Sequence, residues 1–213
     1  MVLLPGNVVK EFRLKKDEEW ASNIANKYNI KIIYEKYSIK KGDKNKGNHY
    51  ALYAKSGNQN TGEQKFATST EVNNDSDLYK SLADEINKGD RTISLKHVEI
   101  GVLICGENNI LVNKQAKQNK VKWRYEQPKI NWNPKIIINP SHNSMGNWNK
   151  LNKRFEFLSK KFEYVIYLTN SSHKTFGKSS LRVYKKGVEI KNGEKPDFKT
   201  NDNKAIGCIV EII

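Results

Sequence analysis

At 213 residues, 37% hydrophobic and 29% charged, the chain is long and apolar enough to bury a core and lies outside the composition of disordered or fibrous chains. Its longest apolar runs, residues 100–105 and 164–168, fall far short of the roughly 20 residues that cross a membrane as a helix. The formal charge of +15 raises a nucleic-acid partner, but 33 of the 38 basic residues are Lys and only 5 are Arg, spread along the chain beside 26 Asn. That balance favours A/T-rich coding and solubility over a phosphate-clamping surface, which would draw on Arg forks. Residues 1–6 carry neither the basic start nor the long apolar segment of a signal peptide, so export is not expected. Cys105 and Cys208 are too few for a disulfide scaffold or a Cys-rich zinc site and suit a reducing compartment. The expected location is the cytoplasm, with no membrane association.

In chain order, residues 2–4 form a short apolar strand stopped by Pro5-Gly6. Residues 17–28 read as a helix, with Trp20, Ile24 and Tyr28 on one face and Asp17, Glu18 and Glu19 in the first turn. Strands follow at 30–37 and 50–55, a turn at Ser56-Gly57-Asn58, a short strand at 64–68, and a helix at 78–87 ended by Gly89. Residues 93–98 and 100–105 read as two apolar strands joined near Glu99. Residues 136–138 form a buried strand ending in Asn139-Pro140-Ser141. Residues 148–162 form the longest helix, with Leu151, Phe155 and Leu158 or Ser159 facing inward. A strand at 164–169, a hairpin of 180–184 and 188–190 around Lys185-Lys186-Gly187, and a closing strand at 206–213 complete the order. No repeat and no Pro- or Ser-rich linker divides the chain, so residues 1–213 read as one α/β domain with buried sheets.

Cys105 is the most informative position. It ends an apolar strand and opens into Gly106-Glu107-Asn108, and strand ends opening into polar turns are where α/β folds place reactive groups. A nucleophilic thiol needs a cation or donors nearby, whereas most free cysteines are inert core; periodicity alone favours the inert reading. No histidine pair has the i, i+4 zinc spacing and no acidic cluster resembles a two-metal site, so no metal is expected. No phosphate loop occurs, and no cofactor is expected. His142-Asn143-Ser144 and His173-Lys174-Thr175 are similar to the His-x-Ser/Thr pairs of 2H phosphoesterases, but their interval is short for that family.

Ile100-Gly101-Val102-Leu103-Ile104-Cys105-Gly106-Glu107 resembles the nucleophile strand of the nitrilase, or carbon–nitrogen hydrolase, superfamily. Other pieces follow in the family's order. Val2-Leu3-Leu4-Pro5 resembles the strand before the catalytic Glu. Asn48-His49-Tyr50-Ala51-Leu52-Tyr53, Gly57 and Lys65 resemble the segment leading to the catalytic Lys. Ile137-Ile138-Asn139-Pro140-Ser141 resembles the strand after the nucleophile, and residues 162–170 and 177–187 resemble the strands that follow. The resemblance implies a four-layer α-β-β-α sandwich. It implies hydrolysis of an amide or nitrile through a covalent cysteine intermediate, with Cys105 as nucleophile and Lys65 stabilising the tetrahedral intermediate. Glu71 would help position substrate, Glu107 would orient loops, and Asn139 and Ser141 would support the pocket or the substrate. A homodimer is also implied.

One departure stands out. The family's general-base Glu should follow Pro5, where this chain has Gly6; Glu11 is the nearest acid. The family's opening strand and helix, which should precede Val2, are also missing from the reading. The chain is therefore expected to be a divergent or N-terminally truncated member. The alternatives are a catalytically inactive relative that binds a partner, and a basic nucleic-acid-binding protein with its lysines on one face.

Overall fold

A computed structural model describes residues 1–4, 14–37, 48–53, 57–95, 97–113, 120–141, 147–169, 180–201 and 206–211, with the backbone alone for 14–18, 35–37 and 48–53. It is a mixed α/β structure. A four-stranded sheet has the order β1 (Val2–Leu3), β2 (Ile32–Tyr37), β3 (Asn48–Tyr53), β4 (Gln59–Asn60), with α1 (Leu14–Tyr28) leading into β2. Two helices, α2 (Ser69–Asn74) and α3 (Ser76–Lys88), precede β5 (Thr92–Leu95) and β6 (Val98–Val102). A short 3-10 helix (Cys105–Ile110) leads to the pair β7 (Leu111–Asn113) and β8 (Val121–Trp123). Then come β9 (Ile136–Ser141), α4 (Trp148–Phe162), β10 (Tyr164–Thr169), β11 (Leu181–Lys185), β12 (Val188–Asn192), and the small pair β13 (Phe198–Lys199) and β14 (Ile206–Gly207).

The second sheet runs β12-β11-β10-β9-β6-β5. Its centre is parallel: Ile100 pairs with Ile136, and Ile136 with Tyr164. β6, β9 and β10 therefore end on the same edge, where Cys105, Ser141 and Thr169 follow or terminate them. These strands are apolar on both faces because both are covered. Ile100, Val102, Ile104, Ile136, Ile138 and Tyr164 pack with Ile33 and Leu3 of the first sheet. On the opposite face, Ile137, Val165 and Tyr167 pack with Leu82 and Ile86 of α3 and with Leu151, Phe155 and Leu158 of α4. In β2 the neighbours of Ile33 point the other way: Ile32 and Tyr34 pack on Ala21 and Ala25 of α1.

Several elements match the expectation closely. α4 and β10 have the expected bounds, α3 ends at Gly89 with φ 88°, and the hairpin turns through Lys186 and Gly187 with φ 48° and 87°, the paired positive φ of a two-residue hairpin. Others differ. The inward face of α1 centres on Ala21 and Ala25, with Ile24 half-buried beside them; of the expected face, Trp20 and Tyr28 point outward, 41% and 57% exposed. Alanine lets the helix backbone approach the sheet, which a Trp at that contact would hold off. No strand forms at 64–68, because its N–H groups are taken elsewhere: Lys65 N–H donates to the Glu107 carboxylate (2.7 Å) and Ala67 N–H to Glu71 (2.8 Å). The β5–β6 reversal falls between Leu95 and Val98, so Glu99 lies within the ladder opposite Ser94. The last strand stops at Gly207; Ile209 N–H donates to the Asp197 carboxylate instead (2.6 Å). No helix among the described residues is long and apolar enough to cross a membrane.

The corrected face of α1 is testable by urea unfolding. Trp20→Ser should change stability by less than about 0.5 kcal/mol. Ala21→Leu should cost about 1–3 kcal/mol through overpacking.

Candidate active site

β6 delivers the chain to Cys105 through Leu103 and Ile104, both fully buried. Cys105 opens the 3-10 helix with φ 46°, the left-handed region where a non-Gly residue stores about 1–2 kcal/mol of strain. Its carbonyl is pinned from two sides, by Asn139 Nδ2 (2.9 Å) and Asn108 Nδ2 (3.0 Å), and Asn139 Nδ2 also donates to Leu103 O (2.6 Å). Gly106 follows because nothing larger fits: a Cβ there would lie 1.7 Å from Ala67 O. The segment 65–67 thus lies directly against the turn.

Beneath the turn is a buried charge network. Glu107 is fully buried and accepts from Arg91 Nη1 (3.1 Å) and Nη2 (2.9 Å), Ile104 N–H (2.8 Å) and Lys65 N–H (2.7 Å). Arg91, also fully buried, turns its Nε to Glu85 (2.8 Å) and Nη2 to Glu63 O. Glu85 in turn holds the Lys65 ammonium. Burial pushes the Glu107 carboxyl above the ordinary carboxylate range, against the downward pull of Arg91 and the two backbone donors. A ring therefore runs from Lys65 to Glu85, Arg91, Glu107 and back to the Lys65 N–H.

The residues singled out from sequence fall into distinct places. Cys105, Glu107 and Asn139 meet at one turn. Lys65 touches that turn through its backbone, but its ammonium lies on Glu85 of α3. Glu71 is exposed and accepts from Ala67 N–H, while Thr68 Oγ1 accepts from Glu71 N–H, so the pair caps α2. The Ser141 hydroxyl is buried with no hydrogen-bond partner among the described residues. Strand alternation puts it on the α4 face with Ile137 and Asn139, whereas Cys105 packs with the cluster between the sheets. Among the described residues no side chain hydrogen-bonds the Cys105 thiol. Pro5, Gly6, Glu11, His142 and His173 lie outside the described residues. Four groups that matter here were not singled out from sequence: Arg91, Glu85, Asn108 and Arg154, the last donating to Asn108 and Asn109. The available signal was the rarity of Arg in a Lys-rich chain.

The fold is similar to that of a CN-hydrolase superfamily protein from Xanthomonas campestris, a crystal structure with an arsenic adduct in its active site. The TM-score is 0.53 at 11% identity, covering 91% of this chain and 74% of that one. A glutamine-dependent NAD(+) synthetase from Cytophaga hutchinsonii matches at 12% identity and a TM-score of 0.45, over 89% of this chain and 33% of that one. No protein-family model and no curated protein matches the sequence. What the first likeness defines is a class of fold, CN-hydrolase-like and mixed α/β.

Two substitutions separate the buried network from the exposed cap, read by denaturant unfolding. Arg91→Met strands Glu107 in the interior and should cost about 3–5 kcal/mol. Glu71→Gln keeps an acceptor at the cap and should cost less than about 1 kcal/mol.

Proposed function

We propose that the chain is a thiol-dependent hydrolase of carbon–nitrogen bonds acting through Cys105, on a single domain whose two sheets and outer helices make a four-layer α-β-β-α sandwich. The observation that carries this reading is the backbone of Cys105. A cysteine forced to φ 46° at the end of a parallel strand, its carbonyl clamped by two Asn amides, is an expensive way to place an inert side chain. It is an apt way to present a nucleophile.

In the proposed reaction the Cys105 sulfur bonds to an amide carbon while the carbonyl pair moves to oxygen. Collapse expels the amine with one proton and leaves a thioester. Water then adds to the acyl carbon, releases the acid and returns a proton to sulfur. A nitrile would enter through a thioimidate. Lys65 would stabilise the oxyanion, with Glu107 and Asn139 supporting the turn. The substrate would be a small amide or nitrile.

A second reading is a non-catalytic relative that binds a partner. It is favoured by the engagement of the Lys65 ammonium with Glu85 and by the lack of any described carboxylate on the Cys105 thiol.

Iodoacetamide labelling at neutral pH, mapped by mass spectrometry, separates the two. Burial and the neighbouring Asp197 carboxylate push the Cys208 thiol up, so Cys208 should label slowly. The hydrolase reading expects Cys105 to label at least about tenfold faster, with the excess lost in Lys65→Met. Equal, slow labelling at both cysteines, or no effect of Lys65→Met, would favour the binding protein.

A further inference from the structure

Four of the five arginines are described, and they divide by partner. Arg91 is matched by Glu85 and Glu107, and Arg182 by Glu189 (2.8 Å). Arg124 and Arg154 have no carboxylate among the described residues. Arg154, on α4, is only 7% exposed. Its Nε donates to Asn113 Oδ1 (2.9 Å) and its Nη1 to Asn108 Oδ1 (2.9 Å) and Asn109 Oδ1 (2.8 Å). Arg124, half-buried just past β8, donates through Nε to Asn109 O (2.7 Å) and through Nη1 to Asn73 Oδ1. One residue, Asn109, thus anchors both guanidinium groups, through its side chain and its backbone. Each group keeps an Nη2 with no acceptor among the described residues.

Two like charges on one anchor repel, and a guanidinium withdrawn from water against neutral amides alone is poorly compensated. Burial lowers both side chains, Arg154 to about 10 with Arg124 contributing, so Arg154 remains a cation at neutral pH. The chain does not supply the missing charge locally: segments 114–119 and 142–146, next to β7 and α4, contain no Asp or Glu. The residue type matters too. In a chain with 33 Lys, both positions carry the planar fork that matches a two-oxygen anion.

We propose that Arg124 and Arg154 form a binding site for a small oxyanion, a phosphate or a carboxylate group, behind the turn that carries Cys105. The link to that turn is direct, since Arg154 donates to Asn108 and Asn108 to the Cys105 carbonyl. Arg154 comes from the α4 face of the sheet, whereas Cys105 packs on the other face. The anion is therefore not the group a thiol there would attack, and the site stands whether or not Cys105 is catalytic. Its occupation braces the turn. The burial of Arg154 keeps out the backbone of a nucleic-acid duplex.

The test is thermal melting and calorimetric titration of the full chain with inorganic phosphate and with acetate, each against sodium chloride at matched ionic strength. The expected result is a saturable rise in melting temperature with phosphate or acetate; which of the two binds tighter identifies the ligand group. Affinity should fall about tenfold or more in Arg124→Gln and in Arg154→Gln. It should persist in Lys160→Gln, which removes an equal charge from an exposed part of α4. Where Arg154→Gln does not fold, Arg124→Gln alone decides. No rise beyond the chloride control, or an equal rise in folded Arg124→Gln, overturns the proposal: the ions would then be condensing on the Lys-rich surface.

Discussion

The buried pair of Arg91 and Glu107 is the contact around which this end of the molecule is organised. Both side chains are withdrawn from solvent, so neither is tolerable without the other. Glu107 also gathers the N–H groups of Ile104 and Lys65. One carboxylate thereby ties together the residue before Cys105, the segment at 65–67 and the start of β5. At six residues the 3-10 helix is long for a type whose hydrogen-bond geometry is generally poorer than an α-helix's, so it leans on these outside contacts. The Asn amides on the Cys105 carbonyl and the close approach of Gly106 to Ala67 complete a cradle built from distant parts of the chain. The shell of contacts that fixes the Cys105 backbone is thus drawn from distant segments as well as from the turn itself.

Much of the scaffold was legible in the sequence because it rests on local pattern. α4 has an apolar stripe at helical spacing and β10 an unbroken apolar run, so their bounds could be read directly. The α1 face could not. A period of four through Trp20, Ile24 and Tyr28 is a stronger hydrophobic signal than Ala21 and Ala25, yet close helix–sheet packing centres on the small residues and keeps only Ile24 of the three against them. Residues 64–68 look extended, but their donors are consumed by carboxylates of Glu71 and Glu107, and the second of these lies 42 residues away from Lys65.

The site divides in the same way. Cys105 and Asn139 were legible because both stand at the ends of apolar strands that become parallel neighbours. The ion network was not, because nothing local marks Glu85, Arg91 and Glu107 as partners. Lys65 shows the limit most clearly. Its position in the order of motifs is informative, but the direction of its ammonium depends on Glu85, which belongs to a helix with no counterpart among those motifs. A chain with so many lysines hides the few that matter, whereas its five arginines could have been treated as a short list.

The sharing of Glu85 has one further consequence. Its two oxygens serve two masters, Lys65 at the rim and Arg91 in the interior. Any negative charge that forms near Lys65 must compete with a carboxylate already in place. When it succeeds, Glu85 does not lose its footing, because Arg91 still holds it. Lending out the ammonium leaves Arg91 between the two carboxylates of Glu85 and Glu107, so a ligand that draws Lys65 away shifts the charge balance of the interior, and the rim and the core are electrically coupled.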